Sequence, residues 1–136
     1  MALGDLVLDE TGTVTGIRVL SNDASGTKLE VCLGTTGTIR GVAETCLWTY
    51  WQLIRPDGSI YGQGEGVMTT QDGDVIQLTG HGSGQAPAPG DPTKHCTMLH
   101  AHTTSTRYAD LNSIGLVGNY DVTADGNAVN KCWEWK

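Results

Sequence analysis

Two sets of polar side chains in this sequence have types and spacings that could support chemistry. In the first, Glu65 and His81 would bring a carboxylate and an imidazole together if their glycine-rich segments pair as neighbouring strands. Tyr61, Gln63 and Gln77 would add hydrogen-bonding neighbours. Desolvation in a partly dry pocket raises the pKa of a carboxylate and suits it to moving protons. We therefore predict Glu65 as an acid or base, with His81 and Tyr61 orienting a substrate.

The second set comprises His95, Cys96, His100 and His102. On a strand, Cys96, His100 and His102 would share one face, and imidazole with thiolate suits Zn²⁺ or another transition ion. The spacing matches no recognised zinc motif, and at least one further ligand would be required. We therefore predict no metal and no cofactor, with these histidines on the surface of an edge strand, and keep a His/Cys metal site as the last alternative.

Glu134 lies between two tryptophans near the C-terminus, in the segment Trp133-Glu134-Trp135. Its carboxylate could protrude into a barrel and contact a ligand. Alternatively, the tryptophans form core and Glu134 faces solvent. Charged side chains are rarely buried without a partner, which favours the second arrangement.

The elements that would position these groups are β-strands. Residues 45–85 predict three consecutive strands joined by Pro56-Asp57-Gly58 and Gln71-Asp72-Gly73, which suit a type I turn followed by a left-handed glycine. Alternate side chains of a strand lie on opposite faces of a sheet. One face of the second and third strands is therefore nearly bare backbone. Its glycines are Gly62, Gly64, Gly66, Gly80, Gly82 and Gly84.

Three-residue turns predict a register for these strands. Trp51, Gln63 and His81 would form a lateral row on one face, and Trp48 and Tyr50 would lie over strand glycines on the other, a known packing solution. A one-residue slip reverses the faces, so the sequence leaves open which face lines the interior. The side chains expected to contact a ligand under one arrangement or the other are Trp48, Tyr50, Trp51, Gln63, Gln77 and Glu134.

Strand signals punctuated by Asx-Gly turns recur along the whole chain. This pattern predicts an all-β protein, an antiparallel meander closed into a barrel of about eight or nine strands, as a single domain over residues 1–136. Residues 34–37 (GTTG) are predicted as a loop, and residues 106–114 as the only helical segment. The predicted strands are residues 13–20, 28–33, 38–44, 46–55, 59–70, 75–85, 95–105, 115–123 and 127–136.

Composition narrows the partners and the compartment. The 136 residues carry a formal net charge of -7, which would repel a nucleic-acid backbone. The N-terminus lacks the basic and apolar regions of a signal peptide, and no run is long enough to span a membrane. We therefore predict a cytoplasmic protein that binds neither nucleic acid nor membrane. Its four cysteines are predicted to be reduced and mostly buried.

The segments GQGEGVMTTQDGD, LTGHGSG, ADLN and YDVTADGNAVNKCWEWK resemble those of a group of small uncharacterised microbial proteins. These are thought to share the barrel of allene oxide cyclases and dirigent proteins, and the resemblance spans residues 11–136. It implies an allene oxide cyclase-like (calycin-type) barrel, with a cofactor-free isomerase or cyclase as an elaboration. No catalytic motif of the allene oxide cyclases maps onto these positions residue by residue, so none is transferred.

The function predicted from the sequence is binding of a small, largely apolar or aromatic molecule inside the barrel. In the catalytic version, Trp48, Tyr50 or Trp51 shapes the cavity and Glu65 acts as the acid or base. The alternative is a non-catalytic oligomeric interaction module, in which exposed aromatic side chains form contacts between identical subunits.

Overall fold

The computed structural model describes residues 3–135. It shows a closed barrel of eight strands in which each strand is antiparallel to its neighbours. The strands follow chain order around the barrel, and the first closes it by pairing with the last. The predicted all-β meander barrel is confirmed, with eight strands. Their bounds are β1 Leu3–Asp23, β2 Gly26–Ile39, β3 Val42–Ile54, β4 Ser59–Thr70, β5 Val75–Gln85, β6 Thr93–His102, β7 Gly115–Val122 and β8 Asn127–Trp135.

Two tight turns set the register of β3, β4 and β5, as the sequence predicts. Gly58 and Gly73 each have a φ of 86°, in the left-handed region where a side chain would be strained. Across these turns Trp51 pairs with Gln63, and Gln63 pairs with His81. The predicted lateral row is therefore confirmed.

The prediction of a separate strand over residues 38–44 is wrong. β2 runs without a break through residues 34–37, and the turn that ends it lies at Arg40 and Gly41, with φ values of 47° and 79°. Gly37 remains in the strand because β1 passes very close to it. A Cβ atom at Gly37 would lie 2.0 Å from the carbonyl oxygen of Asp9. This glycine permits close strand contact rather than a turn.

The first and last strands also differ in extent from the prediction. β1 begins at Leu3 rather than at residue 13, so the sequence signal missed its first ten residues. β8 is described as far as Trp135, and the last predicted strand residue, Lys136, lies outside the described residues, as do Met1 and Ala2.

One end of the barrel, where β3 begins and β6 ends, is filled by packed side chains. A 3₁₀ helix, η1 (Thr106–Ser113), lies between β6 and β7 and buries Tyr108 and Leu111 at this end. It occupies the segment predicted to be helical. The apolar core around it comprises Val7, Leu8, Ile39, Cys46, Met68, Ile76, Leu78, Leu99, Ala101, Tyr108, Leu111, Leu116 and Cys132.

At the opposite end, the β1 arm of the β1–β2 hairpin extends beyond β8, while β2 stays paired with β3 as far as Thr27. β1 pairs with β8 only as far as Thr13, and from there to Asp23 its ladder partner is β2. Two irregularities, after Val14 and after Val19, interrupt this part of the ladder and bend the strand as β-bulges do. We refer to residues 16–31 as the overhang.

The cysteines are expected from the sequence to be reduced and mostly buried, and no segment is expected to span a membrane. All four cysteines are free thiols, as predicted, but burial is confirmed only for Cys46 and Cys132, because Cys32 is half-buried and Cys96 is exposed. Within residues 3–135, no helix is long and apolar enough to cross a membrane.

Candidate functional site

The glycine face of β4 and β5 lines the barrel interior. Ile60, Met68 and Leu78 lie on this face and are buried, whereas the alternate residues Gln63 and Glu65 are exposed. Of the two arrangements that the sequence left open, the structure therefore has bare backbone inside and polar side chains outside.

Above the packed end, the barrel holds a cavity of about 90 Å³. It opens at the end that carries the overhang, since side chains of the core fill the other end. The wall is almost entirely apolar, because backbone of the strand glycines and aromatic rings supply most of it. Side chains that line the cavity include Leu33, Thr35, Trp48, Tyr50, Gln52, Ile60, His95, Thr97, Leu99, Tyr120 and Asn130.

Aromatic rings occupy the space that the glycines leave. A Cβ atom at Gly66 would lie 2.6 Å from the Trp48 ring, and one at Gly64 would lie 2.5 Å from Cβ of Tyr50. The predicted packing of these two aromatic residues over strand glycines is therefore confirmed. Tyr50 meets Tyr120 edge to face, with ring centroids 5.7 Å apart and hydroxyl oxygens 3.1 Å apart. Both tyrosines are removed from water, which raises their pKa values.

His95 places a neutral imidazole in the cavity wall. Its Nδ1 lies 3.1 Å from the carbonyl oxygen of Tyr120. Because a carbonyl only accepts hydrogen bonds, Nδ1 carries the proton and Nε2 holds a lone pair. Nε2 is buried and has no hydrogen-bond partner in the described residues. Burial lowers the pKa of His95, which keeps the ring neutral near pH 7.

Beneath the cavity floor lies a pair of buried carboxyl groups, Glu10 and Glu44, with side chains 0% and 4% exposed. Glu10 accepts hydrogen bonds from Thr35 Oγ1 and Asn130 Nδ2, each at 2.9 Å. Trp48 Nε1 donates to the same Thr35 oxygen at 3.2 Å. The cavity floor and the carboxyl pair therefore belong to one hydrogen-bonded network.

Within the described part of the chain, Glu44 lacks the hydrogen bonds that would stabilise a charged carboxylate. No donor among the described groups reaches either of its carboxyl oxygens, whereas both oxygens of Glu10 already accept hydrogen bonds. Burial, followed by the neighbouring Glu10, raises the pKa of Glu44 to about 9. A neutral Glu44 can donate a hydrogen bond to Glu10, and its neutral form avoids the cost of a buried, unpaired charge.

Of the residues predicted for catalysis, Tyr61 and His81 come together, but on the outer wall. The Tyr61 ring lies 6.2 Å from the His81 ring, and Gln63 Nε2 donates to the Tyr61 hydroxyl at 2.8 Å. Glu65 and His81 are exposed to solvent. The proton-moving role of Glu65 required a desolvated interior position, and the register places this side chain on the opposite face.

The residues predicted to bind a ligand are divided between the two faces. Trp48 and Tyr50 line the cavity. Trp51 lies on the outer wall against Tyr61, with ring centroids 5.8 Å apart, and Lys28 Nζ lies 4.3 Å from its centroid. Gln63 borders the cavity through its backbone, since its side chain points outward.

Gln77 and Glu134 also lie away from the cavity. Gln77 is exposed on the outer wall, and Glu134 is buried at the closed end, 3.3 Å from Arg40 Nη2. The expectation that Glu134 faces solvent is therefore wrong, and the physical reason is its ion pair with Arg40, which also binds Asp110.

The histidine and cysteine set is divided by strand alternation. His95 points inward, and Cys96, His100 and His102 are exposed on the outer face of β6. Across residues 3–135, no group of three or more His, Cys, Asp or Glu side chains has an arrangement that could hold a metal ion.

Comparison with known proteins supports the fold. No family model and no curated protein matches the sequence. The solved structures that share its fold include the following three. A protein of unknown function from Clostridium acetobutylicum is 18% identical, with a TM-score of 0.88 over 100% of both chains. A conserved protein of unknown function from Rhodopseudomonas palustris is also 18% identical, with a TM-score of 0.83 over 99% of both chains.

The third structure, a β-barrel-like protein from Acinetobacter baumannii, has 18% identity and a TM-score of 0.82, covering 99% of this chain and 96% of its own. At such identity the likeness shows the fold alone. The barrel is therefore confirmed, and the finer resemblance to allene oxide cyclases and dirigent proteins stays a prediction.

Sequence reasoning missed the buried carboxyl pair and the cavity role of His95. A usable signal existed for Glu44. It lies four residues before Trp48 on β3, so alternation places both side chains on the same, inward face. Glu10 had no such signal, because its partner Asn130 is 120 residues away in sequence.

Proposed function

We propose that this protein binds a small, largely apolar molecule in the cavity of the barrel. One observation carries the proposal: strand glycines thin the wall of β4 and β5 beside the cavity, whereas buried apolar side chains fill the other end of the barrel. A glycine within a strand weakens it, through lost packing and greater loss of backbone entropy. Maintaining such a wall is consistent with a need for space.

The chemistry of the wall supports an apolar occupant. Trp48, Tyr50, Leu99 and strand glycines line the cavity, and its surface is almost entirely apolar. The polar groups of Thr35, Asn130 and the two tyrosines form hydrogen bonds with neighbouring side chains. Small-molecule sites in proteins are typically concave and mostly apolar, with few polar groups. A proton-transfer function through Glu65 is not part of the proposal, since that side chain lies outside.

Toluene is a suitable first probe, because it offers apolar contact and no hydrogen bond. We expect toluene to bind the purified protein saturably, detected by titration calorimetry and by a change in tryptophan fluorescence, since Trp48 lines the cavity. Gln52→Phe would place a ring in the mouth. The Gln52 Oε1 atom has no hydrogen-bond partner in the part of the chain that the structure describes, so its removal leaves no group there unpaired.

We expect Gln52→Phe to weaken toluene binding at least ten-fold. The matched control is Gln63→Phe, the same substitution on the outer face of the next strand, which should leave the affinity within two-fold. Equal loss in both variants, or no saturable binding to the parent protein, would contradict a ligand site in the cavity.

A further inference from the structure

We propose that the binding site continues out of the cavity along the inner face of the overhang, and that its occupant is an elongated apolar molecule with one end enclosed in the barrel. This inference rests on the proposed function and specifies the class of ligand. The end of the ligand that projects from the cavity mouth would lie against the overhang.

The strand register shows that the overhang continues the cavity wall. Ile17 pairs with Val31, and Val31 pairs with Tyr50, which lines the cavity. In the next row, Val19 pairs with Leu29. Residues directly opposite each other in an antiparallel ladder project to the same face. Both rows therefore extend the interior face of β3 onto β1.

A similar relation holds along β2. Leu33 lines the cavity, Val31 is buried two residues further on, and Leu29 is half-buried two residues beyond that. At about 3.3 Å per strand residue, this apolar strip is roughly 13 Å long. It ends at a polar pair, in which Thr27 Oγ1 donates to Asn22 Oδ1 at 2.9 Å.

The exposure of Ile17 and Val19, which lie beside this strip on β1, requires an explanation. Ile17 and Val19 are 63% and 64% exposed, although they lie on the face that elsewhere forms the interior. Apolar side chains grouped next to a cavity mouth are typical of ligand or partner sites. The register shifts on either side of these residues bend β1 and change its direction here.

The size of the cavity favours an elongated ligand over a compact one. A closed apolar cavity of about 150 Å³ holds benzene, whereas the space here is about 90 Å³. A molecule of that size or larger is only partly enclosed. The remainder would lie against the overhang, which is the apolar surface continuous with the mouth.

The test is a series of unbranched 1-alkanols from 1-butanol to 1-decanol, titrated by calorimetry. If added methylenes are buried on the overhang, affinity should rise about two- to four-fold with each one, the upper value corresponding to full burial. In the double variant Ile17→Ser/Val19→Ser, we expect 1-butanol to bind as in the parent protein and the increase for longer chains to be largely lost.

The matched control is Leu47→Ser/Val67→Ser, which removes two exposed apolar side chains that face each other on the outer wall. It should retain the full dependence on chain length. All four positions are exposed, so these substitutions should leave the fold intact.

Failure of the extended site can be distinguished from failure of the cavity site. If 1-butanol and toluene bind but affinity stops rising with chain length in the parent protein, the cavity site stands and the extended site is refuted. If neither probe binds, both fail. If the parent protein is a dimer in sedimentation experiments and only the overhang variant is monomeric, the overhang is covered by a second copy, and the inference is overturned.

Discussion

Replacement of Glu44 by glutamine should stabilise this protein, and the effect should depend on pH. The buried Glu44 carboxyl has a pKa of about 9 in the folded state, against 4.5 for the free side chain. A group whose pKa is raised on folding contributes its full stability below the unfolded pKa. That contribution is lost as the pH rises towards the folded pKa, because the unfolded chain releases a proton that the folded chain retains.

The magnitude follows from this shift. Between pH 5 and pH 7 the wild-type protein should lose about 1.4 kcal/mol per pH unit from Glu44, or about 3 kcal/mol in all. Glutamine occupies nearly the same volume, carries no titratable proton and can still donate a hydrogen bond to the Glu10 carboxylate. The Glu44→Gln variant should therefore match the wild type near pH 5 and exceed its unfolding free energy by about 3 kcal/mol at pH 7.

Urea unfolding of both proteins at a series of pH values measures this difference directly. The control is Glu65→Gln, which makes the same chemical change on the exposed outer wall and should leave the unfolding free energy within about 0.5 kcal/mol of wild type at each pH. A stability difference between Glu44→Gln and wild type that stays constant from pH 5 to pH 7 would refute the raised pKa of Glu44.

Two further predictions concern packing and thiol reactivity. Gly80→Ala should destabilise the protein by about 1–3 kcal/mol, because its Cβ would lie 2.4 Å from Leu99 Cδ2. Gly16→Ala should be nearly neutral, since within residues 3–135 only its own chain neighbours come within 4 Å of the added Cβ. Equal unfolding free energies for the two variants would contradict the close-packed wall. Native alkylation at pH 8, followed by mass spectrometry, should label the exposed Cys96 and spare Cys132, because burial raises the pKa of Cys132 to about 12. Comparable labelling of both thiols would show that the core opens readily.

Prediction from sequence succeeded where the determining interactions are local. The turns at residues 56–58 and 71–73 each contain a glycine that adopts a positive φ, and such turns fix which residues face one another. The pairing of Trp51 with Gln63 and the stacking of Trp48 over Gly66 followed from those turns alone.

Prediction from sequence failed where the need for a glycine comes from a strand that is distant in sequence. Gly37 suggested a loop because glycine is common in turns. Its actual constraint is the backbone of Asp9 on β1, which approaches too closely for any side chain. A single sequence does not distinguish these two uses of glycine, and the predicted number of strands near the N-terminus was wrong for this reason.

Some residues of the candidate site were predicted from the sequence, and others were not. Trp48 and Tyr50 were predicted as ligand contacts and do line the cavity. Glu65 has the residue type and the neighbours expected of a catalytic acid, but the orientation of its face depends on barrel closure. The buried carboxyl pair was not foreseen, since Glu10 and Glu44 come from β1 and β3 and acquire their environment only in the closed barrel.

The sequence by itself thus determined an antiparallel all-β chain and the relative register of its central strands, because turn chemistry and side-chain alternation act over a few residues. The tertiary structure alone decided which face became the interior. That choice depends on closure of β1 against β8 and on the packing of η1 into one end, contacts between residues more than a hundred positions apart in the first case. With that choice made, the glycine face became a cavity and Glu65 became a surface residue.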